Sequence, residues 1–394
     1  MTSAQKTRYV VMLGLLTMFG PLCMDLYLPS LPQLSDDLHA SVTKAQLSLT
    51  ACLVGLGVGQ LLIGPLSDRL GRRTPLLWAL ALFTLASLAC TVVTNIEQLL
   101  VLRFLQGVAG AGGAVISRAV ARDLYSGSDL TRFFALLMIV NGLAPILAPV
   151  MGGQLLFLTS WRGVFLVLML LGALIFTLTA CLLKESLPRE LRAEGTWRST
   201  LQAFMTTVSS RRFMGLCLVQ GSMMAGMFAY IGVSTFVLQK IYHLSAQQFS
   251  LCFALNGAGL VLSGQVSARL SRNGRESLVL KHGLSLAVVV SAVLASVALL
   301  KLPLPYFLAA LWLTIACVSG IGAAATSLAM QVHERQVSGM ASAVLGVMMF
   351  TMGGICLPLS SLIDVSALSM GVTFLVCYSC AWLAYRFVVM PASR

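Results

Sequence analysis

Residues 64–73 read GPLSDRLGRR, and residues 264–273 read GQVSARLSRN. Gly, Ser, Arg, Leu and Arg coincide without a gap at a spacing of 200 residues. Each copy follows the second long apolar run in its half of the chain. A repeat of this kind indicates two duplicated halves, which is how one large class of helical membrane proteins is built.

The composition is that of an integral membrane protein. Of the 394 residues, 58% are apolar and only 10% are charged, and the mean hydropathy is +0.91. A soluble domain carries about 25% charged residues. Apolar runs of about 20 residues, each long enough to cross the bilayer as a helix, alternate here with short polar breaks. We predict twelve transmembrane helices, at residues 8–32, 42–66, 75–94, 98–121, 132–157, 161–183, 213–238, 246–268, 278–300, 303–330, 337–361 and 367–389.

The longest polar interruption separates the sixth predicted helix from the seventh. The sequence therefore predicts an all-α fold of two pseudo-symmetric six-helix bundles, residues 1–183 and residues 213–394, joined by a cytoplasmic linker at residues 184–212. Within the linker, residues 197–208 have the pattern of an amphipathic helix on the inner leaflet, although a solvated linker is an equal alternative.

The basic residues predict the orientation, because Lys and Arg accumulate in cytoplasmic loops. With the N-terminus inside, 21 of the 26 basic residues fall on the cytoplasmic side, and both termini are expected there. Arg103 lies within the membrane, and the four residues on the outer side are Lys44, Arg162, Lys240 and Lys301. The formal charge of +13 follows from this topology, and its spread over many loops argues against a nucleic-acid surface.

The ten cysteines and four histidines give no support for a metal site or an enzyme. The cysteines are scattered through the predicted helices, and the histidines fall at loops or helix ends without clustering. Cys377 and Cys380 form a C-x-x-C, which we expect to be packing residues because they lie in a membrane helix. We expect no cofactor, no metal and no catalytic activity.

Asp25 is the only carboxylate predicted at membrane depth, within the apolar run 8–31. Such an acid must be paired, protonated or in contact with water. Arg103 lies at a matching depth in the fourth helix, since both residues are roughly 8 to 9 Å inside the outer boundary. We expect Arg103 to be the electrostatic partner of a proton-carrying Asp25. The alternatives are a permanent pair that only positions two helices, or an Arg103 that extends to the boundary while Asp25 caps its helix.

Residues 64–73 resemble the loop 2–3 signature of the major facilitator superfamily. From the residues themselves, Gly71 allows a tight reversal, and Asp68 can pair with Arg72 or meet the positive end of the eleventh helix. The second copy has Ala268 in place of the acid. The resemblance implies a conformational latch between the halves, formed by Gly64, Asp68, Arg69, Gly71, Arg72 and Arg73.

Two further motifs lie in the fourth and fifth helices. Residues 102–110, LRFLQGVAG, resemble the signature of proton-coupled exporters, and the small residues that share a helix face with Arg103 would let a neighbouring helix approach. Residues 141–153, NGLAPILAPVMGG, are similar to the antiporter signature of drug exporters, with Ala148 where that signature has glycine. The residues implied for the antiporter helix are Gly142, Pro145, Pro149, Gly152 and Gly153.

Together with residues 24–32 (MDLYLPSLP) and 122–125 (RDLY), these motifs resemble the bicyclomycin and chloramphenicol/florfenicol resistance branch, Bcr/CflA, of drug:proton antiporters. The resemblance implies a monomeric protein of the bacterial inner membrane that exports small amphipathic antibiotics by alternating access and uses the proton gradient as its energy source. An exporter of a metabolite such as an amino acid or nucleoside is the alternative.

Polar, Met and aromatic residues near mid-depth either bind substrate or pack the helices, and the candidates are Tyr27, Asn141, Gln220, Met223, Met227, Tyr230 and Asn256.

Overall fold

The computed structural model describes residues 3–125, 147–192, 197–271, 275–332, 338–360 and 365–391. Every regular element in these ranges is helical, which confirms the all-α prediction. The α-helices are α1 Ser3–Asp25, α2 Leu31–Asp37, α3 Val42–Leu70, α4 Arg73–Cys90, α5 Ile96–Leu124, α6 Leu147–Leu158, α7 Trp161–Leu182, α8 Trp197–Ser209, α9 Arg211–Phe236, α10 Ala246–Leu270, α11 Glu276–Leu299, α12 Leu304–Met330, α13 Ser338–Leu359 and α14 Ala367–Ala384.

The helices match the predicted membrane spans. Within the described ranges, ten helices are individually long and apolar enough to cross a membrane, and the segments Val11–Gly20 and Leu22–Asp37, which meet at an angle of 43°, supply an eleventh. The fifth predicted span, 132–157, coincides with described residues only in α6. Eleven of the twelve predicted spans therefore correspond to a helix or a bent pair of helical segments among the described residues. The fifth corresponds to a helix only in its last part.

The first span is broken immediately after Asp25, and the prediction of one continuous helix over 8–31 is wrong. A 3₁₀ turn, Leu28–Ser30, follows α1 and leads into α2. Pro29 and Pro32 stand in the first turns of these two elements. Because proline lacks a backbone N–H, it fits best in the first turn of a helix, and each of these two prolines stands where a new helical segment begins. Asp25 is consequently the C-terminal residue of α1.

Glycines bring the backbone of α5 against two neighbouring helices. A Cβ at Gly107 would overlap the carbonyl oxygen of Cys52 in α3, and a Cβ at Gly113 would overlap the carbonyl oxygen of Leu16 in α1. Small residues at such crossings allow membrane helices to approach closely, as we predicted for Gly107. This packing fixes the part of α5 that carries Arg103, one turn before Gly107.

Contacts divide the chain into two compact units, Met1–Ser41 with Ala51–Glu194 and Val42–Thr50 with Gly195–Arg394. In the first unit, α4 packs against α5 and α7, and α1 packs against α5. In the second unit, α9 is the most buried span and packs against α12, α13 and α14. The helix expected within the linker is present as α8, which packs against α9 and α13.

Candidate functional site

Asp25 stands at the end of α1 with its side chain almost entirely buried, since the residue is 6% exposed. Within the described residues, no hydrogen bond or ion pair joins its carboxyl group to another residue. An ionised carboxylate in an apolar environment without a partner is strongly disfavoured. Because no described residue supplies Asp25 with a direct counter-charge, its ionised form is disfavoured here.

Arg103 is fully buried and is held by neutral groups. Its guanidinium carbon lies 4.4 Å from the ring centroid of Tyr27 and 5.7 Å from that of Phe165. Nη1 donates a hydrogen bond to Oε1 of Gln106, and Nη2 lies 3.8 Å from Sδ of Met24. Cation–π contacts with the faces of aromatic rings stabilise a desolvated guanidinium. The side chain does not extend to the membrane boundary, which was one of the alternatives.

Asp25 and Arg103 share a neighbourhood but do not form an ion pair, because none of their charged atoms lie within 4.0 Å of each other. Arg103 instead contacts Met24 and Tyr27, which stand on either side of Asp25 along the chain. The ring of Tyr27, rather than the carboxylate of Asp25, therefore covers the guanidinium. The matching depth of the two residues in the membrane and their role in proton coupling stay predictions.

Two contacts of Arg103 were missed from the sequence. Gln106 relays the interaction onward, because its Nε2 donates to Oγ of Ser87 in α4 at 2.7 Å. Its position three residues after Arg103 places it on the same helix face, and this spacing was a usable signal. Phe165 comes from α7, and nothing local in the sequence indicates that it meets Arg103.

Helix α6 contacts the backbone immediately after Asp25. A Cβ at Gly152 in α6 would overlap the carbonyl oxygen of Leu26, so only glycine allows this approach. Gly152 therefore packs directly on the backbone of the residue that follows Asp25. Of the five residues implied for this motif, the structure describes Pro149, Gly152 and Gly153. The predicted residues that lie outside the described ranges are Asn141, Gly142 and Pro145.

The described substrate candidates are all buried. Tyr27 packs on Arg103 in the first unit. The other five are in α9 and α10 of the second unit, at Gln220, Met223, Met227, Tyr230 and Asn256, and none is more than 8% exposed.

Tyr230 and Asn256 are in direct contact. Asn256 Nδ2 donates a hydrogen bond to the Tyr230 hydroxyl at 2.8 Å, and the Tyr230 ring stacks on Phe253 with 5.6 Å between centroids. Gln220 lies beside Gly322 of α12, and its Oε1 has no hydrogen-bond partner among the described residues. The second unit thus contains a polar pair within an aromatic cluster and, about three turns earlier in α9, a buried amide whose oxygen has no partner among the described residues.

The loop 2–3 residues form a charged cluster around Arg72. Nη1 of Arg72 donates to Asp68 at 2.5 Å and to Ser67 at 2.9 Å, and Nε donates to Asp123 at 3.0 Å. The two carboxylates hold the pKa of Arg72 above its ordinary value, although its partial burial acts in the opposite direction. The pairing of Asp68 with Arg72 is as predicted, whereas the contact with Asp123, which is distant in sequence, was missed.

Glu185, which lies three residues after the end of α7, also belongs to this charged cluster. Its carboxylate accepts hydrogen bonds from the backbone N–H groups of Arg72 at 2.8 Å and Arg73 at 3.2 Å, and so caps the first turn of α4. Burial tends to raise the pKa of Glu185, but these bonds and one from Leu187 outweigh it, and the pKa lies below its ordinary value. Gly71 has φ +93°, and a Cβ there would meet this carboxylate. The expected tight reversal is therefore present.

The other latch residues have different surroundings. Arg73 Nη2 donates to the carbonyl oxygen of Ala180 at 2.7 Å, and Arg69 is exposed. A Cβ at Gly64 would stand 3.7 Å from Val115 Cγ1, an ordinary contact, so the described surroundings do not require a glycine there. Among the described residues, no three His, Cys, Asp or Glu side chains are grouped so that they could hold a metal ion.

Comparison with known proteins identifies relatives over the whole chain. The profile of the Major Facilitator Superfamily matches residues 13–387. The "Uncharacterized MFS-type transporter YdgK" of Bacillus subtilis is 37% identical, with 95% of this chain and 94% of that protein covered. The "Bicyclomycin resistance protein homolog" of Haemophilus influenzae is 28% identical over 96% of each chain. The "Multidrug resistance protein MdtL" of Salmonella schwarzengrund is 25% identical, with 98% of this chain and 95% of the relative covered.

Solved structures share the fold. The crystal structure of a D-xylose–proton symporter has a TM-score of 0.77 and 13% identity, with 97% of this chain and 98% of that chain covered. A bacterial homolog of the human lysosomal transporter Spinster has a TM-score of 0.76 and 15% identity, with coverage of 99% and 98%. At these identities the likeness concerns the fold alone.

Proposed function

Because this chain belongs to the Major Facilitator Superfamily, a class of membrane transporters and not of enzymes, we propose that it is a proton-coupled exporter of small amphipathic antibiotics. Bicyclomycin and chloramphenicol/florfenicol-like compounds are the proposed substrates. Full-length similarity to a bicyclomycin resistance protein homolog and to a multidrug resistance protein supports this substrate class. The observation that carries proton coupling is the buried carboxyl group of Asp25, which has no direct partner among the described residues and lies near a buried Arg103.

Asp25 is the proposed proton carrier. A carboxyl group can bind a proton from the outer side and release it to the cytoplasm when its access to water changes. Protonation changes the local charge by one unit next to Arg103, whose guanidinium stays charged at all relevant pH values. In the coupling step, the Asp25 carboxylate attracts the Arg103 guanidinium when it is ionised and loses this attraction when it binds a proton.

The attraction between the two groups depends on their separation. Two unit charges 4 Å apart attract each other by about 4 kcal/mol at an effective dielectric constant of about 20. Asp25 and Arg103 are farther apart than 4.0 Å here, so the attraction is weaker in this arrangement and grows if the two groups approach. The break after Asp25 and the ring of Tyr27 on Arg103 connect this change of charge to the backbone of the first span.

Substrate is proposed to contact mixed polar and apolar side chains. Tyr230 and Asn256 offer a hydroxyl and an amide beside aromatic rings, and Gln220 offers an amide oxygen without a partner among the described residues. Amphipathic drugs present the same combination of apolar surface and a few polar atoms. Since these side chains are buried here, substrate must reach them in a state that opens a cavity, as alternating access requires.

We propose the remaining organisation by the same reasoning. Residues 1–183 and 213–394 form the two moving bundles, residues 184–212 link them, and the charged cluster around Arg72 acts as the conformational latch. The excess of basic residues in alternate loops supports cytoplasmic termini. The protein functions as a monomer in the bacterial inner membrane, with the drug, protons and the lipid bilayer as its partners.

Efflux from energised cells tests this function. Cells that express the protein are loaded with bicyclomycin, chloramphenicol or florfenicol, and retention is measured with and without a protonophore. We expect at least one antibiotic to be exported faster than in cells with an empty vector, and the difference to vanish when the proton gradient collapses. Export of a labelled amino acid or nucleoside with no antibiotic export would support the metabolite alternative and contradict the proposal.

A further inference from the structure

Two cysteines are in contact next to Asp25. Cys23 in α1 and Cys52 in α3 are both fully buried, and their Sγ atoms are 3.6 Å apart. A disulfide has sulfur atoms about 2.05 Å apart, so this pair consists of two free thiols. Both cysteines belong to the first compact unit, and Cys23 precedes Asp25 by two residues.

The positive charge of Arg103 acts on this thiol pair. The guanidinium lies within electrostatic range of both sulfur atoms, and its Nε has no hydrogen-bond acceptor among the described residues. A cation beside a thiol stabilises the negative charge that develops on sulfur when it reacts or binds a soft electrophile. The function proposed above makes no use of these thiols.

Gly110 leaves space beside Cys23. A Cβ at Gly110 would stand 3.8 Å from Cys23 Sγ and 3.6 Å from Leu56 Cδ2, which are ordinary van der Waals distances. Gly107, one turn earlier, has no such space, because a Cβ there would overlap a backbone carbonyl. A group of about the size of a methyl therefore fits next to Cys23 without displacing a helix.

We propose that Cys23 and Cys52 form a binding site for trivalent arsenic, which enters as neutral arsenous acid. Each thiol displaces one hydroxyl group: two arsenic–sulfur bonds form, two arsenic–oxygen and two S–H bonds break, and two water molecules leave. Arsenic keeps its third hydroxyl and its oxidation state. The product joins α1 to α3 beside the break that follows Asp25.

The geometry selects this class of ligand. A pyramidal arsenic centre binds two sulfur atoms at close to a right angle, which holds them near the separation that this pair already has. A disulfide would require the sulfur atoms to move together, to about 2.05 Å. A linear two-coordinate metal ion would require them to move apart.

Arsenic content of the purified protein tests the proposal. The second thiol pair with the same 3.6 Å separation, Cys356 and Cys377, is first removed by Cys356→Ser and Cys377→Ser. In this background, arsenite should bind at one arsenic per chain, and arsenic X-ray absorption should report two sulfur neighbours and one oxygen. Adding Cys23→Ala or Cys52→Ala should lower the arsenic content more than tenfold. Cys217→Ala, a buried cysteine of the second unit, is the matched control and should leave it unchanged.

Gly110→Ala provides a test that keeps both thiols. The added methyl group fits in the folded protein and fills the space beside Cys23, so binding should fall more than tenfold while the thiol count after unfolding stays the same. Equal arsenic content in the background protein and its Cys23→Ala variant would overturn the proposal. So would a reduced, folded background protein that binds no arsenic, or full binding in Gly110→Ala. These readouts are independent of transport, and their failure would leave the proposed export function unaffected.

Discussion

The ring of Tyr27 lies over the guanidinium of Arg103, with 4.4 Å between the guanidinium carbon and the ring centroid. Together with Gln106, it surrounds a buried cation with neutral partners. Arg103 therefore does not depend on ionised Asp25 for its place in the bundle. This leaves the carboxyl group of Asp25 free to change its protonation state without loss of the local structure.

Two replacements of Tyr27 measure how much its aromatic ring stabilises the protein through Arg103. Tyr27→Leu removes the aromatic face and should lower the free energy of unfolding by about 0.5–2 kcal/mol, the range of a cation–π contact. Tyr27→Phe keeps the ring and should lie closer to the native protein. Thermal unfolding in detergent measures the difference. Equal stabilities of the Leu and Phe variants would show that the ring does not stabilise Arg103.

Gly152 should not tolerate a methyl group. In Gly152→Ala, the added Cβ would overlap the carbonyl oxygen of Leu26, and overpacking of this kind costs about 1–3 kcal/mol. We expect lower thermal stability and impaired efflux. Gly64→Ala is the matched control, because its Cβ would make an ordinary contact with Val115. If Gly152→Ala were as stable as Gly64→Ala, the close approach of α6 to the break would be refuted.

Glu185 should make stability depend on pH in the acidic range. Its folded-state pKa lies below its ordinary value, which is about 4.3 in unfolded chains. The contribution of its carboxylate is therefore fully present above pH about 4.3 and is lost as the pH falls through the folded-state pKa. Glu185→Gln should lower the thermal unfolding temperature at neutral pH, with a cost of about 0.5–2 kcal/mol for a weakened helix cap.

The measurement for Glu185 is the unfolding temperature of the native protein and of the Glu185→Gln variant between neutral and acidic pH. The two curves should converge at low pH, because the protonated carboxyl group and the amide that replaces it both lack the charge. A constant gap between the curves would contradict the role assigned to the carboxylate, and Glu190→Gln in the same linker is the matched control.

The hydrogen bond between Tyr230 and Asn256 should stabilise the second unit. Tyr230→Phe keeps the stack on Phe253 but leaves the buried amide of Asn256 without this acceptor. Leaving a buried polar group unsatisfied costs about 1–3 kcal/mol. We expect a lower unfolding temperature, and the double variant with Asn256→Leu should recover part of the loss. No loss in the single variant would show that the bond contributes little to stability.

Periodicity and motifs predicted the architecture well, because hydrophobic length is a local property that the bilayer enforces. Two features near Asp25 were not predictable in the same way. The end of α1 depends on how Pro29 and Pro32 start new helices, and apolar composition conceals that change. The cover on Arg103 comes from Tyr27 and Phe165, so it depends on the packing of three helices.

The other contacts that the sequence did not predict join residues that are far apart along the chain. Arg72 was expected to pair with nearby Asp68, and it does, but Asp123 of α5 and Glu185 of the segment after α7 reach the same cluster. The C-x-x-C spacing drew attention to Cys380, whereas the sulfur in contact with Cys377 is that of Cys356 in α13. Neither relationship leaves a trace in local spacing, because each is created by helices that meet in the folded chain.

The most direct test of the central claim is proton-driven antibiotic efflux by the Asp25→Asn variant. Asn preserves the shape of the side chain but cannot release a proton, so the account predicts that gradient-driven efflux is abolished while the protein still folds and inserts. Asp36→Asn, an exposed acid in α2, is the matched control and should retain efflux. Undiminished gradient-driven efflux by Asp25→Asn would contradict the claim that Asp25 carries the proton.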